Sequence, residues 1–343
     1  MTGTSMDGVD AVATKIDGRA LEMEATFLSM ESRDLGPTQS ALQSLSVSGG
    51  SQKEMDRVAH DVGKITKLAI QDLELQHIDF IALHGQTIFH APPKSIQLID
   101  ATEIADAFGC TVLTDPRQQD LQLGGQGAPI TPLADWIMFR SDKESTAIVN
   151  LGGFCNVTIL PAHSTPSEVI GFDVCCCNLL LNAIARCMLE EEFDEGGKCA
   201  LQGTPDDKTT NRILDVLVAQ RESNCSLGTD DDLGSLATEL CAEVALEHLL
   251  ASATSAIGQC ITESIFGFER VYLAGGGVHN EALRHAIQHN GTTEDLGVPT
   301  QAREGMSMAI LGALAQDGVS ITLPHITGRR KSNGVVGWTQ ASP

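Results

Sequence analysis

Four short apolar runs constrain this chain more than any other feature: IDFIAL (78–83), TVLT (111–114), TAIVNL (146–151) and VYLA (271–274). Each is short and rich in β-branched or aliphatic residues, the pattern of strands buried on both faces. Long segments of helical periodicity lie between them, and strands separated by helices predict an α/β architecture. Segments 9–16 and 21–29, either side of Asp17-Gly18, predict a β-hairpin, and polar periodic segments from about 38 to 74 predict helices. Between 231 and 266, Leu233, Leu236, Leu240, Val244, Leu249, Ile257, Ile261 and Ile265 predict a long amphipathic helix, broken once near Gly258.

The 343 residues are 42% hydrophobic, too apolar for disorder, and too many for one simple core, so two domains are expected. The glycine-rich stretch 124–127, followed by a helix from about 130, is the expected crossing point. A formal net charge of −23 repels nucleic acid and anionic lipid, which argues against both as partners. No stretch approaches the roughly 20 apolar residues of a membrane span. The start, MTGTSMDGVD, has neither a basic segment nor an apolar core of a leader, so a cytoplasmic location is expected. Ten cysteines form no C-x-x-C pair, which favours free thiols over a zinc site or a disulfide framework.

Three glycine-rich turns carry the chemistry. The first, Gly3-Thr4-Ser5-Met6-Asp7-Gly8-Val9-Asp10, offers small residues, backbone N–H groups and two hydroxyls to phosphate oxygens. Its Asp7 and Asp10 are the candidate Mg²⁺ ligands, because that ion prefers carboxylate and water oxygens. The second, around Gly152, Gly153 and Asn156, joins TAIVNL to a strand reading VTIL and is a hairpin turn. The third, Gly275-Gly276-Gly277, follows VYLA and precedes a helix whose N-terminus adds positive potential. It has neither the G-x-G-x-x-G spacing of a dinucleotide site nor the G-K-[ST] ending of a P-loop. Each turn alone is equally an ordinary polar turn. Their order matches that of the two phosphate loops and the adenosine loop in actin-like sugar kinases.

Longer segments make the resemblance specific. GTSMDGVD (3–10), HGQTIFHAP (84–92), TDPRQQDLQLGGQGAP (114–129), NLGGFCNVT (150–158), GFD (171–173), AGGGVHN (274–280), DLGVP (295–299) and LPHITGRR (323–330) span nearly the whole chain. In them the chain resembles the anhydro-N-acetylmuramic acid kinase family. The resemblance implies a two-domain, actin-like ATPase (ribonuclease H-like) α/β clamshell with an interdomain cleft. It implies one domain of 1–125 plus 305–343, completed by the C-terminal helix, and a second of 126–304. It also implies ATP and Mg²⁺, a recycled 1,6-anhydro amino sugar from peptidoglycan as substrate, and N-acetylmuramic acid 6-phosphate as product. A homodimer is compatible with it and has no independent support in the sequence.

On the matching positions, Asp173 is the implied catalytic base, with a helix-capping carboxylate as the structural alternative. His84 and Gln86 follow a buried strand and are expected to shape the site or touch substrate. Arg117 is the candidate for the substrate carboxylate, a surface ion pair being its alternative. Glu304, at the start of the last amphipathic helix, matches a family glutamate and is a candidate for the sugar, the helix dipole being its alternative.

Four departures from the family pattern stand out. Val174-Cys175-Cys176-Cys177 replaces a Gly-Pro-Gly turn beside Asp173. The chain starts two residues before Gly3, so a weakened central sheet is expected. Segment 222–230 (ESNCSLGTD) lacks a lysine and an arginine, and the stretch between His279 and Pro299 is shortened. These changes keep two alternatives open: a related sugar kinase with an altered substrate, or a catalytically silent nucleotide- or sugar-binding homologue.

Overall fold

The computed structural model describes residues 1, 2, 6, 8–223, 226–228, 231, 233–331 and 334–341. The chain divides into two compact units, Met1–Arg140 with Thr165–Val169 and Ala302–Pro343, and Ser141–Ser164 with Ile170–Gln301. Both are mixed α/β. The first contains β1 (Gly8–Asp17), β2 (Glu24–Asp34), α1 (Pro37–Ser48), α2 (Gln52–Asp72), β3 (Phe80–Leu83), β4 (Gln86–Ala91) and β5 (Lys94–Leu98). It continues with α3 (Thr102–Phe108), β6 (Thr111–Thr114), α4 (Gln118–Gln122) and α5 (Pro132–Phe139). The second contains β7 (Thr146–Leu151), β8 (Phe154–Leu160), β9 (Ile170–Cys176), α6 (Asn178–Met188), α7 (Lys198–Gln202) and α8 (Asp207–Glu222). After these come α9 (Gly234–Cys241), α10 (Leu246–Ser264), β10 (Arg270–Ala274), α11 (Glu281–Ala286) and β11 (Gly291–Thr292). The chain then returns to the first unit through α12 (Arg303–Gln316), α13 (Pro324–Thr327) and β12 (Thr339–Ala341).

In the first unit β1 and β2 form the expected hairpin, with a 3-10 turn at Ala20–Glu22 that starts the second strand later than the sequence suggested. Helix α2 begins at a capping box in which Ser51 and Glu54 satisfy each other's backbone N–H groups, and it buries Val58, Val62, Ala69 and Ile70. Strand β6 pairs parallel with β3 and antiparallel with β12. Among the described residues the β1–β2 hairpin shares no ladder with this sheet, and a cavity of about 390 Å³ is lined by residues 10–16 and 77–83 of the two. Helix α12 lies against both: a Cβ on Gly305 would meet Val12, and one on Gly312 would meet Phe80.

The expected crossing at 124–127 lies inside this unit, which runs on to Arg140. Helix α5 is the physical reason. It is buried along most of its length, and its Asp135 forms a fully buried, two-point ion pair with Arg303 at the start of α12.

The second unit is built on one five-stranded sheet in the order β11-β10-β7-β8-β9. Strands β10 and β7 run parallel, while β7-β8 and β8-β9 are antiparallel. The helix expected over 231–266 is two helices, α9 and α10, interrupted before Leu246 and not at Gly258. Gly258 sits inside α10 because a Cβ there would fall 2.5 Å from the Ala286 carbonyl oxygen, so α10 and α11 approach through it. No helix among the described residues is long and apolar enough to cross a membrane.

Candidate active site

The second unit gathers two of the three glycine turns at the carboxyl ends of its parallel strand pair, where α/β sheets commonly present ligands. Asn150 on β7 lies opposite Ala274 on β10 and Asn156 on β8. Beyond them, Gly152-Gly153 turns β7 into β8. The carbonyls of that turn are taken by the start of α6: Cys177 and Leu179 N–H donate to Gly153 O, and Asn178 N–H donates to Gly152 O, at 2.9 to 3.2 Å. Asn178 Nδ2 also donates to Leu151 O at 3.0 Å.

The three glycines after β10 differ in what they do. Gly275 has φ +80°, and a Cβ on it would lie 2.9 Å from Leu151 O; one on Gly277 would lie 2.6 Å from Leu151 Cβ. Both are required for the turn to seat on the end of β7. Gly276 is exposed with open space around its Cβ position, which leaves it as the glycine available to a nucleotide. A 3-10 turn (Gly276–His279) intervenes before α11, which Asn280 caps through the Leu283 N–H.

Asp173 stands within β9, opposite Asn156, and not at the strand end: the strand continues through Cys176. Val174, Cys175, Cys176 and Cys177 are all fully buried in the unit's core. The helix-capping alternative for Asp173 does not hold. Cys177 occupies the N-cap of α6 with no side-chain cap, while Asp173 Oδ2 accepts the Leu227 N–H at 2.8 Å. The cysteines are packing groups. Burial pushes the Cys155 thiol well up and Cys177 to about 12, and a hydrogen bond with Cys260, together with burial, raises Cys175. No group of three metal-ligating side chains occurs among the described residues.

In the first unit, Gly3, Thr4, Ser5 and Asp7 lie outside the described residues. Gly8, Val9 and Asp10 belong to β1 and not to a turn, and Val9 is fully buried in the core, so only its backbone can meet a ligand. Met6 packs partly buried against the same core with φ +55°. Asp10 accepts the Ser32 hydroxyl at 2.6 Å, and its backbone exchanges hydrogen bonds with Met1. Glu304 lies in the first turn of α12, close enough to the Met1 ammonium to interact with it.

Arg117 meets the GGQGAP turn and carries His84 with it, while Gln86 lies two residues further along the His84 motif. Gln86 is buried and donates to the Thr87 carbonyl at 3.3 Å. Arg117 donates to Gly127 O at 2.6 Å through Nη1 and reaches His84 Nε2 at 3.1 Å through Nη2. Gln97 Nε2 meets the same His84 nitrogen at 2.8 Å. Burial first, and the Arg117 charge second, hold His84 well below the usual histidine range and lower His90 to about 4. Both motif histidines are therefore neutral near pH 7.

The model for anhydro-N-acetylmuramic acid kinase matches residues 1–339. The anhydro-N-acetylmuramic acid kinase of Synechococcus elongatus is 31% identical over 96% of this chain and 95% of its own length, and that of Salinibacter ruber is 29% identical over 96% and 92%. The chain belongs to the anhydro-N-acetylmuramic acid kinase family. Among solved structures, an activator of 2-hydroxyisocaproyl-CoA dehydratase from Clostridium difficile with bound ADPNP aligns with 90% of this chain and 96% of its own. Its 12% identity and TM-score of 0.44 are too low to bear on function.

Within the family pattern, Gln118 and Gln119 stand where the resemblance implies further arginines. Here they are structural: Gln118 donates to Ser95 O at 2.9 Å, and Gln119 accepts the Gly337 N–H at 2.8 Å. Sequence reasoning missed Gln97, Leu227 and Asp120. Gln97 lies outside every motif, and Leu227 lies in the 222–230 segment, which carries only a loose family match. Asp120 sits inside a motif that was read only for its arginine and glycines.

Proposed function

We propose that the protein is an ATP-dependent kinase that opens 1,6-anhydro-N-acetylmuramic acid with water and phosphorylates the released O6, giving N-acetylmuramic acid 6-phosphate in peptidoglycan recycling. Family membership over nearly the full chain supports the reaction class, and the setting of Asp173 is the observation that carries the chemistry. A carboxylate whose Oδ2 accepts the Leu227 N–H is oriented to take a proton from the attacking water. As that proton leaves, the water oxygen bonds to the anomeric carbon and the C1–O6 bond breaks. O6 then takes the γ-phosphoryl group of ATP as its bond to the β-phosphate oxygen breaks and ADP leaves, a transfer that depends on positioning and charge stabilisation.

The residues present fit a nucleotide: Gly276 leaves backbone uncovered, and the two neighbouring glycines seat its turn on β7. Asp10 is the described residue that would hold Mg²⁺, which supplies charge neutralisation to the phosphates when bound. In this reading Arg117 meets the lactyl carboxylate, with His84, Gln86 and Glu304 lining the sugar site. The protein would work in the cytoplasm on small molecules.

The test is incubation with Mg·ATP and the anhydro sugar, following sugar 6-phosphate by mass spectrometry. Asp173→Asn is expected to lower turnover about 10³-fold with nucleotide binding retained. The buried side chains at 174–177 favour one second reading, a related kinase with a changed sugar preference. Nucleotide binding without product from this sugar, but with product from another anhydro or amino sugar, would establish it.

A further inference from the structure

We infer that Asp120 is a positioning residue: it holds the 125–127 turn so that the Gly127 carbonyl and His84 together aim the Arg117 guanidinium at an anionic group of the substrate. The assignment of that group as substrate rests on the proposed kinase activity; the geometry does not.

Asp120 is fully buried on α4. Its Oδ2 accepts the Gly127 N–H at 2.9 Å, and its Oδ1 accepts the Thr327 hydroxyl at 2.8 Å and lies 3.4 Å from Arg329 Nε. Its own carbonyl accepts the Gly125 N–H at 3.0 Å, while the Thr327 carbonyl accepts that of Gln126 at 2.8 Å. Three consecutive N–H groups of the turn are thus held by Asp120 and Thr327. The sequence is built for this contact: a Cβ on Gly125 would fall 2.1 Å from Asp120 Oδ2, and Gly127 has φ +70°.

What the turn presents is one carbonyl, Gly127 O, which takes Arg117 Nη1. The second anchor, His84 Nε2, receives both Arg117 Nη2 and the Gln97 amide, so it must be the unprotonated nitrogen of a neutral ring. Asp120 does not need to touch Arg117 to direct it; it acts through the backbone of the turn. A carboxylate is required because every group facing its two oxygens is a donor. An asparagine would turn an NH₂ toward either Gly127 or the Thr327–Arg329 pair, and one of those contacts would be lost.

Asp120→Asn separates this role from a merely structural one. The pH titration of the His84 ring, followed by NMR, is expected to move up towards the ordinary histidine value as Arg117 leaves it. The KM for the anhydro sugar is expected to rise about tenfold, with kcat and the KM for ATP little changed. Thr327→Val, which removes one donor and keeps the carboxylate, should shift the His84 titration the same way by less, and it keeps the test alive if Asp120→Asn fails to fold. A lowered thermal midpoint with an unmoved His84 titration and an unmoved sugar KM would overturn the inference. A wild-type protein that turns over no anhydro sugar would instead sink the kinase reading and leave the His84 titration to decide Asp120.

Discussion

Asp173 stands on a strand whose next four residues are wholly buried, so the second unit places its candidate base by packing: β9 is pressed between β8 and a cysteine-rich core. His84 and Arg117, by contrast, sit where three separate sequence motifs meet through hydrogen bonds. The difference teaches where each half tolerates change. Packing accepts side chains of similar volume, which is how three cysteines can stand beside Asp173. A hydrogen-bonded cluster fails when a single donor is set against a donor.

Beyond the loss of turnover at Asp173, the largest expected effect is on the polar side and comes from acid. His90 has a folded-state value of about 4 against an ordinary 6.5, so the unfolded chain binds the extra proton between those values. Its contribution to stability, on the order of 3 kcal/mol, is present above about pH 6.5 and is lost as the pH falls towards 4. Thermal melts from pH 8 to 4 should show the decline, and His90→Asn should flatten it. An equally steep decline in the variant would remove His90 from the explanation.

The packed side is sharpened by its glycines. Gly277→Ala should destabilise by about 1–3 kcal/mol, since the new methyl would overlap Leu151. Gly276→Ala should leave stability within about 0.5 kcal/mol while weakening nucleotide binding, measurable by calorimetry. Equal stability losses at both positions would contradict the division of labour between them.

The smallest effect expected is no effect at all. Iodoacetamide at pH 8 should modify the exposed Cys187 and spare Cys155, Cys175 and Cys177 in the native protein, as peptide mass spectrometry would show. Rapid labelling of Cys177 would mean that the cysteine wall opens, and that the second unit's precision does not come from packing.

Much of this was legible from the chain. The apolar runs appear as β3, β6, β7 and β10, because short β-branched segments between helices have few other ways to be buried. The family motifs pointed to His84, Arg117 and the glycine turns. What escaped was set by contacts between distant segments. The 124–127 stretch reads as a domain crossing until Asp135 and Arg303 are seen to bind α5 to α12. Residues 174–177 read as a strained turn until β9 is seen to extend through Cys176 into the core. Asp120 reads as one more acid in a chain of net charge −23, and only burial and its three donors distinguish it.

The gap between the β1–β2 hairpin and the β3–β6–β12 sheet shapes how the first unit comes apart. Among the described residues they share no ladder, so coupling between them passes through side chains, those of α12 among them. The two still share one apolar core, in which Val9 and Ala11 of the hairpin pack with Ile81, Leu83 and Val112 of the sheet, so opening either one exposes part of the other's core. The hairpin begins with Gly8, Val9 and Asp10, the last residues of the first phosphate-binding candidate, and Val9 is part of that core. A nucleotide held at the start of β1 would therefore stabilise the hairpin by mass action and, through the shared core, the unit around it.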